Sequence, residues 1–501
     1  MDPMNRLLQW WTVRPKFVLL WTDATVWVLI ACMVVYGVAV VRSPNLSASW
    51  RKVFRDAPAL CSALILGVCL VFTAADSVHY RLALPSAKGS PTGSIAYDTV
   101  THSVLDYALS DLVDSREVTY SRPFDYLSYR RETVLVNGQL QRVAARLLHG
   151  GAHLSDPEHQ WKSDLASRSG TGLLIGALVA LASAALLIGV LARGRKAGLL
   201  ETATSVWRKE GDIPWRAALF TVVVIAALAG IVASFMGVYH VFGTDTTGND
   251  VLYQSIKSIR TAFVIGSLAT VATLPLAVVL GIVAGYFRGW VDEVIQYFYT
   301  VLSSVPNILL IAACVLMVQV FLDKHPDMFE TGVERADVKL FLLCAVLGLT
   351  GWAGLCRLLR AETLKLRELD YVQAANAFGV SATRIMVRHV FPNVAHLMLI
   401  VTVLDFSSLI LYEAVLSYVG VGVDPSMNSF GGMINLARKE MSLDPVVWWS
   451  FAAAFGFMVS LVLAANLFAD GVRDAFDPRA RAFRPRLGIT KKSKPPASTP
   501  A

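Results

Sequence analysis

Charged side chains are scarce in this chain of 501 residues: 16% are Asp, Glu, Lys or Arg, against 55% apolar residues, and mean hydropathy is +0.54. That balance excludes a soluble domain of ordinary composition. Cysteine is sparse too. All six (Cys32, Cys61, Cys69, Cys314, Cys344, Cys356) lie in or at the edges of apolar segments, and none falls between Arg81 and Gly170. A disulfide-stapled exported domain is therefore not expected, and no cysteine spacing suits a metal. The chain has no Gly-x-x-x-x-Gly-Lys-Ser/Thr phosphate loop and no His-Glu-x-x-His. Neither P-loop ATP hydrolysis nor zinc-protease chemistry is expected. Nothing in the sequence sets a base beside a nucleophile, so no catalytic residue, metal site or cofactor is assigned.

Long apolar runs are what the chain does have. Crossing the hydrocarbon core takes about 20 mostly apolar residues as helix. Nine stretches qualify: about Trp21–Val41, Pro58–Ala75, Gly172–Ala192, Pro214–Val238, Ala262–Gly285, Gln296–Phe321, Leu340–Leu359, His396–Tyr418 and Val446–Ala469. An all-α polytopic membrane protein follows, with lipid as its surroundings. Asp23 near the start of the first stretch is the anomaly, because a charge at a span's centre costs about 2.5–3.5 kcal/mol. No cleavable signal peptide is expected, since Phe17–Val41 exceeds a typical apolar signal region.

Orientation follows from the basic loops. Arg193, Arg195, Lys196, Arg208, Lys209 and Arg216 place the turn between the third and fourth spans in the cytoplasm. Counting onward puts the C-terminus there as well, where eight Lys and Arg lie between Arg473 and Lys494. The formal charge of +8 is then a membrane flank, and no nucleic-acid partner is implied. The count leaves the N-terminus outside, which Arg6, Arg14 and Lys16 oppose; if the first stretch lies in the interface instead, that end is cytoplasmic.

Residues 81–170 fall outside the membrane, with ten Lys/Arg balanced by ten Asp/Glu. Val100, Val104, Ala108 and Leu112 have helical spacing within Ile95–Val113. Thr133–Val143 reads as a β-hairpin around Asn137-Gly138. His149-Gly-Gly-Ala-His153, with Asp156, Glu158 and His159, has metal-ligand residue types, but its two glycines oppose the helix that would align them, and it reads as a loop. The tail from Lys491 to Ala501 is polar and Pro-rich and is expected to be disordered.

Four separated segments carry a resemblance. One runs from Phe242 through Asp245, Gly248 and Asp250 to Leu252. The second is Tyr371-Val-Gln-Ala-Ala-Asn-Ala-Phe-Gly379, continuing to Phe391-Pro392-Asn393. The third is Glu413-Ala-Val-Leu-Ser-Tyr-Val-Gly420-Val-Gly422 with Pro425. The last is Asp470-Gly471-Val-Arg473-Asp474-Ala-Phe-Asp477-Pro478-Arg479. In this order they resemble the second type of permease subunit in bacterial peptide and nickel ABC importers. Gln373 stands where that family usually has Glu, and Asn249 where it commonly has Arg.

The resemblance implies a six-helix ABC importer permease core over about residues 214–486, with its coupling loop at about 360–395. Preceding it would be about three extra N-terminal spans (1–80 and 171–213, the latter including a basic cytoplasmic linker) and a small α+β extracytoplasmic insertion (81–170); a disordered tail, 487–501, would follow. It also implies a second permease subunit, two ATP-binding subunits and an extracytoplasmic solute-binding protein at a bacterial inner membrane, with ATP hydrolysed on the separate subunits.

In the coupling loop, Gln373, Ala374, Ala375 and Gly379 form a small alanine-rich helix with a glycine end, and Pro392 limits its continuation into the next span. Asp405 and Glu413, eight residues apart and read as roughly one helical face, are candidates for lining the pathway or, singly, for structural pairing. Nickel or other small-solute import shares this architecture. A gradient-driven transporter would show inverted repeats, and a membrane sensor would use residues 81–170 as its ligand domain.

Overall fold

The computed structural model of the protein describes residues 15–83, 97–136, 139–196, 198–208 and 212–476. The Asn137-Gly138 turn, the end of the last motif from Asp477, the basic tail and the residues Arg6 and Arg14 lie outside the described residues. Nine helices among them are long and apolar enough to cross a bilayer.

The N-terminal addition is a helical hairpin tied to the insertion. Helix α1 (Trp21–Arg42), short α2 (Pro44–Val53) and α3 (Ala57–Asp76) follow strand β1 (Lys16–Val18). Pro44 and Pro58 occupy first-turn positions, where the missing N–H costs nothing. Strand β2 (His79–Arg81) pairs antiparallel with β1 and with β3 (His102–Ser103). Because β1 precedes α1 and β2 follows α3, both ends of this hairpin meet at one end of the bundle. The first apolar stretch is thus a crossing helix, and residues 16–18 share a side with the insertion.

Among the described residues of Ile95–Val113, helix forms only over α4 (Val104–Ala108) and from Ser110, in α5 (Ser110–Asp114). Ser103 and Asp106 form a reciprocal capping box that fixes the start, and the backbone before it is strand. Strands β4 (Leu127–Val136) and β5 (Gln139–Arg146) make the hairpin, with Thr133 opposite Arg142. Helix α6 (Pro157–Arg195), α7 (Leu199–Trp207) and α8 (Trp215–Phe235) follow. Helices α6 and α8 pack backbone to backbone: a Cβ on Gly176 would lie 2.6 Å from the Ala226 carbonyl oxygen.

The rest comprises α9 (Val251–Phe287), α10 (Gly289–Ser304), α11 (Asn307–Lys324), α12 (Gly332–Arg367), α13 (Asp370–Ala377), α14 (Ala382–Ile385), α15 (Phe391–Val419), α16 (Phe430–Glu440) and α17 (Trp449–Phe476). Long α9 and α12 pack together at the centre; Val264, Ile265, Leu340, Leu343 and Leu347 are buried between them and α11. The single span expected over Gln296–Phe321 is two helices. Val305, held extended by the following Pro306, separates α10 from α11. Only α11 is membrane-spanning in length and composition; Asp292 on α10 makes a 2.6 Å ion pair with Arg360 of α12.

Asp23 now has its explanation. It is fully buried, 2.6 Å from the Arg260 guanidinium of α9 and 2.7 Å from His79 Nδ1. The Thr22 amide donates to Asp337 of α12 at 3.0 Å, and the Arg260 guanidinium lies 3.9 Å from the same carboxylate. Beside this group the Lys257 ammonium sits 2.7 Å from Asp106 and 3.1 Å from Asp76. Charges that would be costly alone in the membrane therefore pair across α1, α3, α4, α9 and α12.

A second clasp ties the insertion to the segment before α9. The buried Glu117 carboxylate accepts the amides of Leu148, His149 and Gly150 at 2.8, 2.8 and 3.0 Å. His240 lies between it and Asp250, at 3.5 and 2.7 Å. Asp250 also caps α9 by accepting the amides of Leu252 and Tyr253. Burial pulls the His240 imidazole down, but the hydrogen bonds and charges of Asp250 and Glu117 outweigh it and push its pKa up to about 9. Burial likewise raises Glu117, yet His240 and the three amides bring it down to about 2.

Two outcomes follow from these contacts. Asp23→Asn leaves Arg260 with only a distant counter-charge and is expected to cost about 3–5 kcal/mol, read as a lower melting temperature of the solubilised protein. The His240 clasp contributes fully below the ordinary histidine value of 6.5 and is lost as pH rises through about 9. Melting temperature should fall as pH rises from about 6.5 to about 9, and this fall should be smaller in His240→Gln.

Candidate coupling site and pathway

At the end of the bundle opposite the insertion, α12 leaves the membrane core and the chain turns through α13. One face of α13 is pinned: Val372 is buried against Tyr286 of α9 and Ile385 of α14, with Ala375, Val380 and Met386 around them. The helix ends in a double hydrogen bond, Gly379 N–H to Asn376 C=O at 3.0 Å and Val380 N–H to Ala375 C=O at 3.1 Å. This is a Schellman turn, and Gly379 supplies its left-handed residue at φ 72°. A Cβ there would meet nothing within 4 Å, so conformation alone calls for glycine.

Gln373, Ala374 and Ala377 face solvent, and Ala375 is half-buried in the pinning cluster. The Gln373 amide donates to the Glu368 carbonyl at 3.1 Å, so this side chain folds back on the preceding turn. Phe378 is 87% exposed at the tip, above Trp290 at 75%. The signal for Phe378 in the sequence is an apolar residue just before a helix-ending glycine. The pinning partner Tyr286, far away in the chain, left none.

The segment is also tied to the next span. The Asn393 side-chain amide donates to the Tyr371 hydroxyl at 3.2 Å and to the His389 carbonyl at 2.6 Å. Pro392 does not stop the helix as expected. Ala382 to Val419 forms one continuous helical path, and a π turn over Met386–Val390 lies just before the proline. That wider turn accommodates the missing N–H, and Pro392 sits in the first turn of α15.

Asp405 and Glu413 part company. Eight residues advance a helix by about 80° past two turns, and the structure shows the consequence. Glu413 is 1% exposed and accepts the Ser417 hydroxyl at 2.6 Å, facing α16. Asp405 is half-buried, with the exposed Ser408 about one turn on. In the insertion, His149, His153 and His159 also separate. The His149 amide donates to Glu117, while the rings of His153 and His159 pair with Asp164 and Asp156.

Residues 277–482 match a family described as the binding-protein-dependent transport system inner membrane component. An oligopeptide transport system permease protein OppC of Mycobacterium tuberculosis is 32% identical over 248 residues, which is 50% of this chain and 79% of the relative. The chain belongs to that family. An OppC protein of Haemophilus influenzae is 30% identical over 243 residues, 48% of this chain and 71% of the relative. A dipeptide transport system permease protein DppC of Lactococcus lactis is 31% identical over 243 residues, 48% of this chain and 64% of the relative. Among solved structures, an inward-facing MetNI methionine ABC transporter covers 45% of this chain and is itself covered at 96%, with 16% identity and a TM-score of 0.33, too low to bear on the fold. The family match contains the whole coupling segment, α15 and α17, and starts within α9; it is the membrane component of a transport system and is multi-pass.

For this family member, the pinned face predicts a specific weakness. Val372→Ala should cost about 1–2 kcal/mol by opening the contact with Tyr286 and Ile385. Gly379→Ala should cost about 1 kcal/mol through its left-handed backbone, and Gly379→Asn less. Hydrogen exchange over residues 370–385 should quicken in the order Asn, Ala at position 379.

Proposed function

We propose that this chain is one of two membrane subunits of an ATP-driven importer of peptides in a bacterial inner membrane. What carries the reading is its identity of 30–32% to relatives named oligopeptide and dipeptide permeases. Residues 214–486 form the transport unit. A second permease subunit completes the pathway, two separate ATP-binding subunits supply hydrolysis, and an extracytoplasmic solute-binding protein delivers the peptide.

The end carrying α7, α13 and the close of α17 faces the cytoplasm. Support comes from its basic residues, Arg193, Lys196, Arg208 and Arg473 among those described. Phe378 and the Gln373–Ala374 face of α13 enter a groove on an ATP-binding subunit. When those subunits close on ATP they push α13. Its ties to α9 through Val372–Tyr286, to α12 through the chain and to α15 through Asn393 turn that push into a tilt of the spans. Asp405 and Ser408 on α15 face the second permease subunit and the pathway, whereas Glu413 serves the packing of α16. No residue of this chain acts on ATP.

The decisive measurement uses the assembled transporter in vesicles. Phe378→Ala should leave the melting temperature of this subunit unchanged, because the ring makes little internal contact. It should lower peptide uptake on the order of tenfold and abolish stimulation of ATP turnover by the loaded binding protein. Undiminished uptake in Phe378→Ala would remove α13 from the coupling role.

A further inference from the structure

The turn between α6 and α8 carries a feature unrelated to transport. The apolar part of α6, Gly172–Ala192, is about 30 Å long as helix and matches the hydrocarbon thickness. Arg193 and Lys196 directly after it therefore fall at headgroup level. There the chain leaves a cleft of about 610 Å³ whose walls include Leu186, Gly189, Val190, Arg193, Lys196 and Leu199. It is apolar along α6 and cationic at its membrane-surface end. Gly189 opens it, since a Cβ there would meet nothing within 4 Å.

Helix α7 completes the pattern. Thr202 and Val206 are buried, whereas Leu199, Leu200 and Trp207 are 62%, 84% and 72% exposed. A short helix at headgroup depth with that face lies in the interface plane, apolar side down. The Arg216 guanidinium stacks 5.1 Å from the Trp207 ring, at the level where tryptophan gathers in membranes. Among the described residues, none of Arg193, Lys196, Arg208 and Arg216 pairs with a carboxylate; the nearby Asp212 is taken by Arg55.

We propose that this cleft binds an anionic phospholipid of the adjoining leaflet. Its phosphate lies between Arg193 and Lys196, and one acyl chain runs along Leu186, Gly189 and Val190. The occupant is a lipid because the apolar wall is continuous with the hydrocarbon core, and it is anionic because, among the described residues, the cations at its mouth have no carboxylate partners. A zwitterionic lipid would bring a cation of its own to that mouth.

The test uses the assembled transporter in nanodiscs of phosphatidylethanolamine with a minority of phosphatidylglycerol, each lipid in turn carrying a photoreactive acyl chain. Phosphatidylglycerol should crosslink to residues 186–200, and the Arg193→Gln/Lys196→Gln double variant should lower that yield on the order of tenfold. Gly189→Leu, which fills open space, should lower it too, with the melting temperature in detergent unchanged. Equal capture of phosphatidylethanolamine, capture indifferent to all of these variants, or crosslinks to another protein chain in place of lipid would each overturn the assignment.

Discussion

Arg260 is a full charge on a central membrane helix, and its neutralisation organises the end of the molecule that carries the insertion. It has one close carboxylate, Asp23, and a second, Asp337, at 3.9 Å. Asp23 belongs to the N-terminal addition and Asp337 to the permease core. In a low-dielectric setting such a charge stays where its partners stay. Helix α1 is thereby fastened to α9 and α12, although its surface otherwise contacts little protein. Helix α1 thus braces the two long central helices α9 and α12.

The two ends of the bundle solve opposite problems. At the insertion end, charge is buried and paired: Lys257 with Asp76 and Asp106, His240 with Asp250 and Glu117. Such contacts hold a single arrangement, because opening any one exposes a charge to a poor solvent. At the coupling end, apolar pins hold α13 on one side while Phe378 stands free on the other. In the proposed role α13 needs both properties, firm attachment to the spans and an uncommitted surface for a partner.

Much of the architecture was legible because the bilayer is a strict solvent. Span length and the pairing of Thr133–Val143 as a hairpin follow local rules of hydropathy and alternation. Other features escaped for identifiable reasons. Pro306 breaks the span expected over Gln296–Phe321 because hydropathy averages over a proline. Pro392 fails to break one because a π turn absorbs it. Ile95–Val113 has helical spacing without helix until Ser103 and Asp106 cap it. Asp405 and Glu413 point different ways because eight residues are not a whole number of turns.

The sequence by itself determined the family and which segments are apolar enough to enter the membrane, since these rest on composition and on residues adjacent in the chain. Only the tertiary structure decided what Asp23 pairs with, where α13 is anchored and which of its side chains remains outward. Those depend on contacts between helices distant in the chain: Asp23 finds Arg260 and Val372 finds Tyr286 only once the bundle has closed.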